Sequence, residues 1–129
     1  MPLLKFHLYK GRSEQEVSLL LDATHEAMVQ SFEVPAEDRY QVVSEYRHPF
    51  LQALDTGLGI RRTEKFVLVE VVSRPRSTQA KTVFYRNLCT VLEDRCGVQP
   101  SDVMISFVEN SDEDWSFGHG RAQFLTGEL

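Results

Sequence analysis

Pro2 is the first residue of this chain that could take part in catalysis. Methionine aminopeptidases usually remove the initiator methionine before a small residue such as proline, which would give Pro2 a free secondary amine. An α-amino group titrates near pH ~8 and can act as a general acid, a general base or a Schiff-base nucleophile. The alternative is that proline follows methionine here without any catalytic role.

Arg74 and Arg76 form a second group, because they flank Pro75 in a turn just before a predicted helix. Guanidinium groups bind carboxylates through paired hydrogen bonds, and helix N-termini favour anions. The turn after the carboxyl end of a strand is also where open α/β sheets bind ligands. The pair therefore predicts a carboxylate site, with two solvated loop arginines as the alternative.

Asp38 and an aromatic tail are the remaining groups. Asp38 precedes a predicted strand, where it could act on a substrate or simply cap the turn and pair with Arg39. The tail carries more large apolar side chains than a surface segment needs. This predicts an apolar wall over a site or, alternatively, a cap on the core or a seal between subunits. The side chains are those of Trp115, Phe117, Phe124 and Leu125.

The sequence contains none of the common metal or cofactor motifs. It has no glycine-rich phosphate loop, no G-x-S-x-G elbow and no H-E-x-x-H pair. Cys89 and Cys96 match no zinc spacing and predict no disulfide framework, and the histidines show no ligand spacing. We therefore predict neither a metal site nor a cofactor.

Composition restricts the class of protein further. A chain of 129 residues is predicted to form one domain over 1–129. Its net charge of −5 argues against a nucleic-acid partner, because such proteins usually present a basic surface. No segment approaches the ~20 consecutive apolar residues that span a bilayer, so we expect no membrane partner and a cytoplasmic location.

The order of predicted elements repeats along the chain. Apolar residues at helical spacing follow Ser13, and Glu16 completes a capping-box pattern with that serine. Runs rich in branched and aromatic residues predict the strands. The strands are predicted at 3–9, 39–46, 65–72 and 102–108, and the helices over 14–32 and from Ser77 to Gly97.

A fixed offset of 64 residues aligns the two units and pairs Arg12 with Arg76 and Asp38 with Asp102. A parallel strand pair needs a right-handed crossover, here a helix. The predicted fold is therefore α/β (α+β), with two tandem β-α-β units that form a four-stranded sheet with two helices on one face. The units are about 2–60 and 65–109, followed by an irregular tail at 110–129 that could add a short hairpin.

The strand at 65–72 contains Phe66-Val-Leu-Val69, which is apolar at consecutive rather than alternate positions. Such a strand is typically buried on both faces. Two helices can cover only one face of the sheet, so the other face must meet another subunit. The residues therefore predict a homo-oligomer, for which closed cyclic symmetry is the usual arrangement.

Together these residues resemble the tautomerase superfamily, whose members use an amino-terminal proline, and within it the malonate semialdehyde decarboxylases. The resemblance covers nearly the whole chain. It is carried by the Pro2 start, Val-Pro-Ala-Glu-Asp-Arg-Tyr-Gln around Asp38, Asp55-Thr-Gly-Leu-Gly59, the arginine pair, Glu109-Asn-Ser-Asp-Glu-Asp-Trp-Ser-Phe117 and Phe124-Leu-Thr-Gly-Glu-Leu129. The last two segments are the most specific, because the fold alone does not require them.

The resemblance implies a trimer in which Pro2 is the catalytic amine and Asp38 a second catalytic group. It implies that Arg74 and Arg76 bind a small 3-oxo or 2-oxo acid. The expected reaction is decarboxylation of a small 3-oxo acid such as malonate semialdehyde to acetaldehyde and carbon dioxide. The electron pair of the broken bond moves to the carbonyl oxygen, beside which protonated Pro2 is the proton donor, or into an iminium that Pro2 forms with the aldehyde. Asp38 either keeps Pro2 protonated or orients a water. The residues that match the family's apolar wall are Trp115, Phe117, Phe124 and Leu129.

Other activities of the superfamily stay open at this point. Unprotonated Pro2 could act as the base of a keto–enol tautomerase, or support hydration and cis-3-haloacrylate dehalogenation with an added water. The dehalogenases rely on a further histidine, tyrosine and glutamate, where this chain has Val29, Met104 and an acidic run ending at Asp114. A different class is a non-catalytic protein-binding module, in which the arginines and the aromatic tail could be scattered instead of converging on Pro2.

Overall fold

The computed structural model describes residues 2–129. The helices and strands are, in chain order, β1 (Leu3–Tyr9), α1 (Glu14–Phe32), β2 (Tyr40–Tyr46), β3 (Val67–Ser73), α2 (Thr78–Cys96), a 3₁₀ turn (Pro100–Asp102), β4 (Val103–Glu109), a second 3₁₀ turn (Asp112–Asp114) and α3 (Gln123–Thr126). Within the described residues, no helix has both the length and the apolar character needed to cross a membrane.

Both long helices begin at a serine that satisfies free backbone N–H groups. In α1 the Ser13 hydroxyl accepts a hydrogen bond from the Glu16 N–H at 3.1 Å, and the Glu16 carboxylate accepts one from the Ser13 N–H at 3.0 Å. In α2 the Ser77 hydroxyl accepts from the Ala80 N–H at 3.0 Å. Gly97 ends α2 in the left-handed conformation, at φ 66°. The predicted caps and the bounds of the predicted first helix are confirmed.

The sheet has the strand order β2-β1-β3-β4. β1 runs parallel to β2, and β3 runs parallel to β4, so each β-α-β unit pairs its own strands as predicted. The two central strands, β1 and β3, are antiparallel and join the units into one sheet. The predicted fold of two tandem β-α-β units with two helices on one face is confirmed.

The bounds of β2, β3 and β4 differ from the predicted ones by one or two residues. β3 begins at Val67 rather than at 65, because the Phe66 N–H turns back to the Thr63 carbonyl at 3.1 Å and keeps Phe66 out of the strand ladder. The tail, as described, has a single antiparallel bridge between Gly118 and Arg121, closed by a two-residue turn, which is a hairpin of minimal length. The chain enters α3 directly after this tight turn, which leaves no length for longer strands.

Side chains alternate across each strand, so the sheet has one face toward the helices and one face away from them. In β3 Val67, Val69 and Val71 are fully buried against the helices, whereas Leu68 and Val72 are half-buried on the other face. The consecutive apolar run of this strand therefore fills the core with one set of side chains and places the other set on the opposite surface.

The sheet surface opposite the helices, which we call the open face, carries large exposed apolar side chains. Its most exposed members lie on the edge strands, where they are 43–54% exposed: Tyr40, Val42, Met104 and Val108. Grouped apolar side chains of this kind are typical of a surface that binds another protein.

Leu88 of α2 is fully buried, so truncating it tests how the helices pack on the sheet. We predict that Leu88→Ala lowers the free energy of unfolding by about 2–5 kcal/mol, because the side chain leaves a cavity behind. The measurement is urea unfolding followed by circular dichroism, with Gln79→Ala on the exposed side of α2 as the control. A loss no larger than that of the control would contradict the packing described.

Candidate active site

The register of β1 decides which residues meet at one end of the sheet. Leu3, the first residue of β1, lies opposite Tyr40 of β2 and Val72 of β3. Pro2, which is buried, therefore lies level with the start of β2 and the end of β3. We call this end of the sheet the site edge, because it brings the starts of β1 and β2 to the ends of β3 and β4.

Ser73, the last residue of β3, is fully buried at the site edge. Its hydroxyl donates a hydrogen bond to the Arg74 carbonyl at 2.8 Å and accepts one from Arg76 Nε at 3.2 Å. Its carbonyl accepts a hydrogen bond from the Asn110 N–H at 2.9 Å, just after β4. One buried serine therefore contacts both the arginine turn and the start of the tail.

The Arg74 guanidinium is held by the tail. Its Nη1 donates to Asp112 Oδ1 at 3.0 Å, and its Cζ lies 3.8 Å from the centre of the Phe124 ring. A cation above an aromatic face is attracted to the ring by about 0.5–2 kcal/mol. Arg74 therefore links the arginine turn to the tail instead of extending into solvent.

Arg76 lies next to both charged and aromatic groups. Its Cζ is 5.3 Å from the centre of the Phe32 ring. Burial, and after it the positive charge of Arg74, lower the pKa of Arg76, while the Asp38 carboxylate acts in the opposite direction. An arginine ordinarily has a pKa above about 12, so Arg76 stays charged at neutral pH. Two neighbouring guanidinium groups favour an anion that can neutralise both.

The tail folds its aromatic side chains over the site edge. Trp115 stacks on Phe117 with ring centres 5.5 Å apart, and Phe117 meets Phe124 edge-on at 5.4 Å. The Trp115 Nε1–H donates to Asn110 Oδ1 at 2.7 Å, which fixes the indole where the tail leaves β4. The three rings form a continuous apolar wall beside the arginine turn.

A cavity of about 240 Å³ opens beside this wall. Asp38 in its lining is only 7% exposed, and Tyr40 packs against Phe117 with ring centres 5.8 Å apart. The full lining is Pro35, Glu37, Asp38, Tyr40, Phe117 and Leu129. The cavity combines a buried carboxylate with mainly apolar walls, as small-molecule sites commonly do.

The residues predicted for the site lie at the site edge or on the tail that covers it. Pro2 and Asp38 lie at the starts of their strands, and the arginine pair follows the end of β3. The wall residues Trp115, Phe117 and Phe124 are in mutual contact, and Leu129 lines the cavity with Phe117. Leu125 and Leu129 are both 62% exposed, and of the two only Leu129 lines the cavity. Removal of Met1, on which a free amine at Pro2 depends, lies outside the described residues.

The opposite end of the sheet carries the repeat counterparts of the site's arginine and aspartate. Arg12 Nη2 donates to the Lys65 carbonyl at 2.7 Å, and Asp102 accepts from the Thr63 N–H and hydroxyl at 2.7 and 2.5 Å. Phe66 stands where the offset of the repeat would place a counterpart of the amino-terminal proline. At that end Arg12 and Asp102 are hydrogen-bonded to neighbouring residues of the chain, and the phenyl ring of Phe66 stands in place of the proline amine.

Sequence reasoning missed Ser73, Asn110 and Asp112 as parts of the site. The burial of Ser73 could have been predicted, because the alternation that buries Val67, Val69 and Val71 of β3 also places residue 73 on the buried face. A polar residue at the end of a buried series needs a hydrogen-bond partner. Asn110 and Asp112 gave no such signal, since they lie in a polar, acidic run that is typical of a solvated loop.

Comparison with known proteins decides the family. Two family models, both described as tautomerase enzymes, match residues 38–118 and 2–52. The chain belongs to the tautomerase family. This tautomerase is 46% identical over 129 residues to the probable tautomerase YrdN of Bacillus subtilis (strain 168), covering 100% of both chains. It is 33% identical over 126 residues to the probable tautomerase YusQ of the same strain, covering 97% of this chain and 99% of the other.

Solved structures share the architecture of this tautomerase. A malonate semialdehyde decarboxylase is 54% identical, with a TM-score of 0.97 and coverage of 98% of both chains. The FG41 malonate semialdehyde decarboxylase inhibited by 3-bromopropiolate is 35% identical, with a TM-score of 0.94 over 98% of this chain and 97% of that one. The resemblance to the tautomerase superfamily and, within it, to the malonate semialdehyde decarboxylases is confirmed.

Trp115 is the only tryptophan in the sequence, so tryptophan fluorescence reports on the apolar wall. We predict that Phe117→Ala shifts the emission maximum to longer wavelength and increases quenching by acrylamide, because the indole loses the ring stacked on it. Phe50→Ala removes a ring that is 65% exposed and distant from Trp115 in the sequence, and it should leave both properties unchanged. Identical spectra for the wild type and Phe117→Ala would argue against the stacked wall.

Proposed function

We propose that the chain, once Met1 is removed, decarboxylates a small 3-oxo acid such as malonate semialdehyde to acetaldehyde and carbon dioxide. The observation that carries the proposal is that the arginine turn and the buried Asp38 meet at the edge of the sheet where Pro2 precedes β1. The 54% identity to a malonate semialdehyde decarboxylase over 98% of the chain supports it.

Decarboxylation needs an acceptor for the electron pair of the broken bond. When the bond between the carboxylate carbon and C2 breaks, carbon dioxide leaves and the pair moves toward the aldehyde oxygen as an enolate. Protonated Pro2 can donate a proton to that oxygen. Alternatively, Pro2 condenses with the aldehyde, releasing water, and the iminium takes up the pair as an enamine. Protonation at C2 then yields acetaldehyde, after hydrolysis in the iminium route.

The arginine pair would hold the carboxylate in place until it leaves. Arg76 is partly desolvated and Arg74 is fixed by its contacts to the tail, so both charges are close to their working positions before substrate binds. The apolar wall would exclude water from this carboxylate. A charged group in an apolar environment is destabilised relative to neutral carbon dioxide, which favours its loss.

Asp38 would act on the amine. A nearby anion raises the pKa of an amine, so a buried Asp38 carboxylate favours the protonated form of Pro2. The charges of Arg74 and Arg76 act in the opposite direction on the same amine. We therefore assign to Asp38 the role of offsetting the two arginines, and orientation of a water is its alternative role.

A second candidate function is tautomerase or hydratase activity at the same amine. Both relatives from B. subtilis are named probable tautomerases. The 54% identical malonate semialdehyde decarboxylase is described as having both decarboxylase and hydratase activities. Dehalogenation is less well supported, because Val29 packs against the core and Met104 pairs with Leu68 on the open face, and neither supplies a polar group. A protein-binding module would not need charged groups gathered behind an aromatic wall.

We also propose that the open face of the sheet joins copies of this chain into a homotrimer. The exposed side chains of this face, including Val42 and Val108, are apolar, so they can pack against the apolar surface of a second copy. A fused 4-OT, which is 21% identical with a TM-score of 0.77 over 97% of this chain and 98% of its own, forms a symmetric trimer. That likeness supports the fold, and the apolar face supports the oligomer.

Turnover and intact mass measured on one sample test the decarboxylase proposal. We predict that protein without Met1 releases carbon dioxide from malonate semialdehyde, and that Pro2→Ala and Arg76→Ala each lower kcat/KM by about 100-fold or more. Gln15→Ala, on the exposed side of α1, serves as the control. Processed protein that releases no carbon dioxide would refute the proposal. Phenylpyruvate enol and 2-oxo-3-pentynoate would then test tautomerase and hydratase activity.

Sedimentation velocity tests the trimer. We predict a particle of three 14.8-kDa chains for the wild type, and smaller species for Val108→Glu, because that change buries a charge in the interface. Leu19→Glu places the same charge on α1, where Leu19 is 41% exposed, and should leave the trimer intact. A monomeric wild type, or equal effects of the two substitutions, would show that the open face is not the interface.

A further inference from the structure

We propose that Ser73 is a positioning residue that sets the Arg76 guanidinium for a substrate carboxylate. The inference rests on the proposed function, because it concerns the carboxylate clamp of that site. Ser73 is fully buried, and it is one of four buried polar residues within 2–129; the others are Thr24, Asp38 and Asp102. Burying a hydroxyl group among valine side chains destabilises the fold unless the hydroxyl makes hydrogen bonds.

The two hydrogen bonds of the Ser73 hydroxyl fix its direction. A serine hydroxyl has one proton to donate and lone pairs that accept. The proton goes to the Arg74 carbonyl at 2.8 Å, which leaves a lone pair for Arg76 Nε at 3.2 Å. The Nε–H bond of Arg76 is therefore aimed into the end of the strand, where it cannot serve a ligand.

This contact selects the edge of the guanidinium that a substrate can reach. A carboxylate can bind an arginine side-on, through Nε and one Nη atom, or end-on, through the two Nη atoms. With Nε held by Ser73, the end-on edge of Arg76 remains. The Phe32 ring, 5.3 Å from the Arg76 Cζ, limits rotation of the group from one side. The carboxylate would therefore lie in line with the end of the arginine side chain.

The backbone of Ser73 connects the same position to the tail. Its carbonyl accepts the Asn110 N–H at 2.9 Å, and Asn110 Oδ1 accepts the Trp115 Nε1–H at 2.7 Å. These two hydrogen bonds link the Ser73 backbone to Trp115, the only tryptophan in the sequence. Binding can therefore be followed by fluorescence without any turnover.

The test is a double-mutant cycle read by Trp115 fluorescence. Malonate, a stable dicarboxylate, is titrated into processed wild type, Ser73→Ala, Arg76→Ala and the double variant. We expect Ser73→Ala to raise the dissociation constant for malonate about tenfold, since hydrogen bonds to charged groups are the stronger class. In the Arg76→Ala background the same change should have no further effect. Ser31→Ala removes a part-buried hydroxyl of α1 that bonds Ala27, and should bind as the wild type does.

A second variant separates positioning from loss of packing. Ser73→Cys keeps nearly the same volume but places a weak acceptor opposite Arg76 Nε, so it should weaken malonate binding while its melting temperature stays near that of the wild type. Unchanged binding in Ser73→Ala and Ser73→Cys would overturn the proposal. Equal weakening by Ser73→Ala with and without Arg76 would also overturn it, since Ser73 would then act independently.

The outcome also distinguishes this inference from the proposed function. If malonate binds and the cycle shows the expected coupling but no carbon dioxide is released from malonate semialdehyde, Ser73 positions a carboxylate clamp and the decarboxylase proposal fails. If Arg76→Ala binds malonate as well as the wild type does, Arg76 is not the clamp and the positioning role of Ser73 is refuted with it.

Discussion

The antiparallel pairing of β1 with β3 is the constraint on which the candidate active site depends. Each β-α-β unit alone places its arginine turn at the opposite end of the sheet from the start of its own first strand, because the turn follows that strand. Pairing β1 against β3 brings the start of one unit to the end of the other. Pro2 then lies level with Ser73, and the turn of Arg74 and Arg76 follows directly.

The same pairing creates a second, related end of the sheet, and the difference between the two ends explains why one of them is a candidate active site. At the second end the chain continues from Lys65 into β3, and the Arg12 guanidinium donates a hydrogen bond to the Lys65 carbonyl. At the site edge the corresponding strand starts with Pro2, and the tail supplies Asp112 and aromatic rings around the arginines. A repeated fold therefore gives unequal ends through the segments attached to it.

Much of the fold and the grouping of the candidate residues at one edge of the sheet could be predicted from sequence, because those features have local signals. Ser13 and Ser77 mark the helix starts, and an arginine pair around a proline before a helix indicates an anion site by spacing alone. The turn that delays β3 had no such signal, since a backbone hydrogen bond of the loop decides where the strand begins. The contacts of the Ser73 carbonyl with Asn110 and of Arg74 with Asp112 depend on two distant segments meeting, which no local pattern encodes.

The most direct test of this account is a crystal structure of the processed protein with malonate bound. We predict one carboxylate within hydrogen-bond distance of the two Nη atoms of Arg76, with the Pro2 nitrogen facing the ligand. Malonate bound at the other end of the sheet around Arg12, or an Arg76 side chain turned away from an occupied site edge, would contradict it.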